Sequence, residues 1–287
     1  MAASSAESVR EPRGKIVAYV LLGILVSLVF LVPLLWAVLR AFQPNDTIVT
    51  DASWSQMFHL TWGNFAEILS PQGTLWRSLI NSIIVSVGSA LLAAVLAALA
   101  GYGLSKFHFR GSGVAFAVIL LSMMVPFQAL LTPLYLEMNT LGLTDSLLGL
   151  VLFYATMNLP FGVFVMRATC DAIPDSLEDA ALVDGAGTLR MMVEVLRPFL
   201  VPGMASASLY AFLRAWTEFL GALAFITKEN LYTLPIALLN LQTGSMGEVD
   251  YGLLVAGAVV AMIPSIILYV ALQKFYVQGL AAGAVKG

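Results

Sequence analysis

The chain has 287 residues, 60% of them hydrophobic and only 11% charged, which is too little charge to cover the surface of a water-soluble fold. The formal net charge of −3 gives no electrostatic footprint for nucleic acid. One cysteine, Cys170, excludes an internal disulfide and a cysteine-ligated metal cluster.

Residues 1–15 are polar, with Arg10, Arg13 and Lys15 directly ahead of the first apolar run, and read as an N-terminal cytoplasmic tail. A helix needs about 20 apolar residues to cross the hydrocarbon core. Six stretches qualify, at 16–39, 79–104, 114–136, 147–166, 199–226 and 251–272, so the expected fold is all-α, a polytopic membrane protein with six transmembrane helices. The first stretch is too long for a signal-peptide core and lacks a small-residue cleavage site, so it is read as a retained span. In the second, Ser86, Ala90, Ala94 and Ala98 recur every four residues, as do Ser89, Ala93, Ala97 and Gly101. Small residues at that spacing let helix backbones approach closely in lipid. Residues 231–241 are apolar but too short to span, which predicts an interfacial or re-entrant piece. Residues 273–287 form a C-terminal tail.

Orientation follows from the basic residues of short loops. With the N-terminus inside, the inner segments carry Arg10, Arg13, Lys15, Lys106, Arg110, Arg167, Arg190, Arg197, Lys274 and Lys286. The outer segments carry only Arg40, Arg77 and Lys228. Both termini are therefore expected in the cytoplasm.

No phosphate-binding G-x-x-x-x-G-K-[ST] loop and no H-E-x-x-H occur, and His59 and His108 fall on opposite sides of the membrane. The chain is expected to bind no cofactor and to catalyse nothing itself. Charges within a span face a cavity or a partner. Arg214 and Glu218, four apart in the fifth stretch, are expected on one helix face, either lining a pathway or pairing with each other. Asn81, Gln128 and Asn158 are further pathway candidates, though amides also bridge helices. Trp216 is a candidate for stacking on a solute ring, or for packing within the bundle.

The loop 171–197, between the fourth and fifth stretches, is about thirty residues long, where bundle connections ordinarily take a few. Pro174 suits a first helical position, and Asp175, Glu178 and Asp179 favour a helix N-terminus. Leu177, Ala180, Ala181 and Asp184 recur at helical spacing, and Gly185 fits a helix end. Thr188 is placed to cap a second helix bearing Met191, Met192 and Val195. Two short helices are predicted, with an apolar surface suited either to docking a partner or to lying on lipid headgroups.

Asp179-Ala-Ala-Leu-Val-Asp-Gly-Ala resembles the E-A-A-x-x-D-G-A signature of ABC-importer permeases, and Pro198 and Pro202 continue the match. Thr61-Trp-Gly-Asn-Phe, Asn81-Ser-Ile-Ile-Val-Ser, Val125-Pro126, Thr132-Pro133-Leu-Tyr, Leu159-Pro-Phe-Gly, Ala215-Trp-Thr-Glu-Phe, Tyr232-Thr-Leu-Pro and the ending Val277-Gln-Gly-Leu-Ala-Ala-Gly-Ala-Val-Lys-Gly follow in family order. Together they resemble the second permease subunit of a maltose-type, carbohydrate-family ABC importer. Asp179 stands where that family usually has Glu, Arg197 replaces an apolar residue, and Thr217 replaces an Asn.

The resemblance implies a permease domain over 16–287 that forms half of a translocation pathway for a sugar or similar small solute in a prokaryotic inner membrane. It implies as partners a second permease subunit, two ATPase subunits carrying ATP and Mg, and an extracytoplasmic substrate-binding protein. It also implies that the helix 174–185 sits in a cleft of one ATPase, with Leu177, Glu178, Asp179, Ala180, Ala181, Asp184, Gly185, Met191 and Met192 as coupling residues. Gly283, Ala284, Val285, Lys286 and Gly287 are implied as a second ATPase contact. An ion-gradient-driven secondary transporter would instead carry internal repeats, which the sequence does not show. A membrane scaffold would not need the patterned loop.

Overall fold

The computed structural model describes residues 13–45, 59–71, 73–243 and 249–284. All regular structure among them is helical. Four helices are long and apolar enough to cross a bilayer: α1 (Arg13–Ala41), α3 (Thr74–Lys106), α6 (Leu147–Asp171) and α12 (Tyr251–Ala284). The short α2 (Gly63–Ile68) lies between the first two.

Two bent pairs raise the candidate spans to six. One joins α4 (Ser112–Ser122) through a 3-10 turn, Phe127–Leu130, to α5 (Leu131–Thr140), with a bend of 89°. The other joins α8 (Thr188–Glu194) to α9 (Arg197–Thr217), with a bend of 82°. The third stretch, expected as one helix over 114–136, is therefore broken. Pro126 has no N–H to give, its ring disfavours a helical residue before it, and its own backbone is extended at ψ 118°. The fifth stretch also stops early. Glu218 takes an extended backbone, ψ 134°, and α10 (Leu220–Phe225) starts anew beyond it. The apolar piece at 231–241 forms α11 (Leu234–Gln242), nine residues long and too short to span. At the C-terminus α12 stays helical through 273–284, so most of the expected tail extends the last helix.

The bundle is built on α3, which packs along α6 and α9. Both small-residue rows of α3 are buried, from Ser86 to Ala98 and from Ser89 to Gly101. The approach is closer than any side chain permits. A Cβ on Gly101 would lie 2.6 Å from Met166 Cβ and 2.7 Å from the Arg167 backbone nitrogen. A Cβ on Gly162 of α6 would lie 2.8 Å from Ala97 Cβ. Dispersion along such a seam replaces the missing hydrophobic drive in lipid. By contrast α1 packs along α12 and leaves Leu21, Leu28 and Leu35 exposed, a surface suited to hydrocarbon.

Candidate functional site

The loop after α6 folds into a helical hairpin, α7 (Asp175–Val183) followed by α8. Pro174 stands just outside α7 in an extended conformation, and Asp175 and Glu178 fill the first turn. Gly185, at φ +77°, closes α7. Its N–H donates to Leu182 O at 3.0 Å, and Ala186 N–H to Ala181 O at 2.9 Å, which satisfies the last carbonyls. Thr188 lies inside α8 and does not cap it; Gly187 occupies that position without a side-chain bond.

The hairpin has two faces. Ala181, Met191 and Met192 are 5%, 3% and 7% exposed, in a cluster with Tyr102, Met166, Cys170, Ile173 and Leu196. Leu177 packs against the same cluster. These four expected coupling residues thus face the chain's own core. Glu178 also turns inward: its Oε2 accepts from Tyr102 Oη at 3.2 Å, and its Oε1 faces Lys106 Nζ at 3.1 Å. Asp179, Ala180, Asp184 and Gly185 are exposed. So are Leu182, Val183, Leu189 and Val193, which sequence reasoning missed. The signal was present, because Asp179, Leu182 and Val183 fall at i, i+3 and i+4 on one face.

The C-terminal ends of α3 and α6 and the hairpin α7–α8 carry every ion pair found among the described residues: Lys106–Asp175, Lys106–Glu178, Arg167–Asp171 and Arg190–Glu194. Lys106 keeps the Asp175 carboxyl below the usual carboxylate range by hydrogen bonding and by its charge.

The membrane-embedded candidates separate. Glu218 is not paired with Arg214, because the helix ends between them. Its Oε2 accepts from Tyr154 Oη at 2.7 Å and from Gly221 N at 2.9 Å, and its Oε1 from Leu220 N at 2.9 Å, so the carboxylate caps α10. Arg214 is exposed. Tyr154, Asn158, Arg214 and Glu218 border a small cavity of about 20 Å³. Asn158 is buried and donates to Tyr154 O at 2.7 Å. Gln128 is exposed in the 3-10 turn. Asn81 and Trp216, two further pathway candidates, are committed to the fold. Asn81 Nδ2 donates to Asn230 O at 3.1 Å and Tyr232 O at 3.0 Å. Trp216 Nε1 donates to Ala261 O at 2.9 Å, and the ring stacks on Phe212. Gly283 and Ala284 end α12, while Val285, Lys286 and Gly287 lie outside the described residues.

A clasp at the opposite end of the bundle was not foreseen. Asp145, at φ +51°, donates its N–H to Phe225 O at 2.8 Å. Its carboxylate accepts from Thr227 N at 2.6 Å, Thr227 Oγ1 at 2.8 Å and Lys228 N at 3.0 Å. These bonds, led by the Thr227 N–H, hold its carboxyl below the usual value. A lowered folded-state value means that the clasp is fully present above about pH 4, the ordinary Asp range, and fades only as pH falls through the folded value. Hydrogen exchange at 225–232 is therefore expected to be flat between about pH 5 and 8 after correction for intrinsic rates. Asp145→Ala is expected to raise it at every pH; unchanged exchange in that variant would show that the clasp holds nothing.

A family model described as "Binding-protein-dependent transport system inner membrane component" matches residues 90–281. The chain is 34% identical over 258 residues to the trehalose transport system permease protein SugB of Mycobacterium tuberculosis, covering 90% of this chain and 93% of that protein. It is 30% identical over 251 residues to the diacetylchitobiose uptake system permease protein NgcG of Streptomyces coelicolor, covering 88% of this chain and 82% of that protein. Among solved structures, a chain of a bacterial ABC transporter involved in the import of the acidic polysaccharide alginate superposes with a TM-score of 0.77. That match has 23% identity and covers 96% of this chain and 100% of the other. The family match spans well over half of the sequence and the first relative is aligned almost throughout, so this chain belongs to the binding-protein-dependent transport system inner membrane components and is a permease subunit of an ABC importer.

Proposed function

We propose that this permease carries a sugar or sugar-like solute inward, as one of two permease subunits joined to two ATPase subunits and served by an extracytoplasmic binding protein. ATP and Mg belong to the ATPase subunits, and this chain contributes pathway and coupling rather than catalysis. The excess of Lys and Arg in the inner loops supports a topology with both termini in the cytoplasm. The names of the relatives, which refer to trehalose and diacetylchitobiose, support the solute class.

The observation that carries the coupling role is the two-faced hairpin. One face is anchored in the core, and the other presents Leu182 at 58% and Val183 at 87% exposure beside Asp179. Apolar side chains next to a charge, on a helix backed by a rigid bundle, suit insertion into a groove of a partner protein. Purification of the tagged chain from its native membrane is expected to bring down an ATPase and a second permease. ATP hydrolysis by that complex should rise with sugar-loaded binding protein. Recovery of the chain alone, with uptake driven by an ion gradient, would overturn the reading.

A further inference from the structure

The last two turns of α3 present three polar side chains to the end of α6 and the entry of α7. Ser105 Oγ donates to Asp171 Oδ1 at 2.5 Å. Tyr102 Oη donates to Glu178 Oε2 at 3.2 Å. Lys106 Nζ donates to Ile173 O at 2.8 Å and to Asp175 Oδ1 at 2.7 Å, and stands 3.1 Å from Glu178 Oε1. Glu178 Oε1 is buried, and the Lys106 ammonium at 3.1 Å is the charge that balances it. The Lys106 and Glu178 side chains are only 10% and 14% exposed. Lys106 thus ties the turn at Ile173 to the first turn of α7, while Ser105 beside it holds the end of α6.

Along the chain, α7 reaches the membrane helices in two ways. Its C-terminal end leads through Gly185 and Gly187 and then the 82° bend between α8 and α9, and its N-terminal end joins α6 through residues 172–174, so neither covalent link reaches α3. The route through Lys106 is short. It ends on α3, which cannot tilt independently of α6 because Gly101 and Gly162 leave no space at the seam.

We propose that Lys106 is the positioning residue through which displacement of α7 reaches α3, and with it the packed α3–α6–α9 core. The proposal rests on the docking reading of the hairpin given above. Lys106 touches neither solute nor nucleotide; it acts through Glu178 and Asp175.

The test uses the full importer reconstituted in lipid, with sugar-loaded binding protein as the stimulus. Lys106→Met is expected to leave the co-purified ATPase and its basal hydrolysis unchanged. Stimulated hydrolysis and sugar uptake should fall by about tenfold, the scale of loss when a charged, buried hydrogen-bonding group loses its partner. Lys106→Arg should retain most of the coupling. Full coupling in Lys106→Met, loss of the ATPase from that complex, or coupling in Lys106→Arg as poor as in Lys106→Met would each overturn the proposal. Val183→Glu, on the outward face, separates the two ideas. If the ATPase still binds that variant, the docking reading fails and this proposal with it. If binding is lost there while Lys106→Met couples fully, only the role of Lys106 fails.

Discussion

Replacing Gly101 with valine is expected to cost the permease its folded bundle. The site has no slack: even the first carbon of a side chain would meet Met166 Cβ at 2.6 Å and the Arg167 backbone nitrogen at 2.7 Å. A flexible side chain can move aside, but the backbone of α6 cannot move without opening the whole seam. Overpacking a core ordinarily costs about 1–3 kcal/mol, and here the whole α3–α6 contact is at stake. Gly103 is the internal control. It lies two residues further along the same helix, and an added Cβ there meets nothing within 4 Å. Gly103→Ala is expected to be neutral or to stabilise by up to about 1 kcal/mol, the helix preference of Ala over Gly. Thermal unfolding in detergent measures both. Equal midpoints for Gly101→Val and wild type would show that the seam is looser than its geometry.

Much of this seam was legible in the sequence, because lipid makes the rule simple. With no hydrophobic drive between helices, small residues every fourth position mark where backbones meet, and the rows from Ser86 to Ala98 and from Ser89 to Gly101 are both buried. The breaks were harder to read. Pro126 interrupts the third stretch, yet Pro33, Pro160, Pro202 and Pro264 all sit inside continuous helices. Neighbouring helices re-satisfy the freed carbonyls in some places and not in others, and composition does not say which. Glu218 looked like a helix residue four places from Arg214. It leaves the helix because its carboxylate has two backbone N–H groups and the Tyr154 hydroxyl to accept from, and Tyr154 is 64 residues away in sequence.

The hairpin shows the same limit from another side. Its helical period was readable, but both faces of α7 carry apolar residues, and periodicity does not tell which face the chain keeps for itself. The structure assigns Leu177 and Ala181 to the core and leaves Leu182 and Val183 outside. Lys106 counted in the sequence only as one more positive charge on the inner side. Its partner Asp175 lies 69 residues further on, so the tie exists only once α3 and α7 are side by side.

The outward face gives the sharpest functional test, Asp179→Lys. Asp179 is exposed and takes part in no ion pair found among the described residues, so its charge can be reversed without disturbing the fold. Its neighbours on that face, Leu182 and Val183, supply apolar area but no discrimination; the acid supplies the sign. If an ATPase groove presents a basic group there, a lysine sets like charges against each other at an interface, a cost of several kcal/mol. Hydrolysis stimulated by sugar-loaded binding protein is then expected to fall on the order of 100-fold, while the chain remains in the membrane at wild-type level. Asp179→Glu, which restores the acid usual in the family, is expected to couple at least as well as the native chain, because its extra methylene extends the reach of the carboxylate. Unimpaired stimulation in Asp179→Lys would show that the docked surface lies elsewhere. A loss in Asp179→Glu as large as in Asp179→Lys would show that the groove fits the shorter side chain by shape rather than reading its charge.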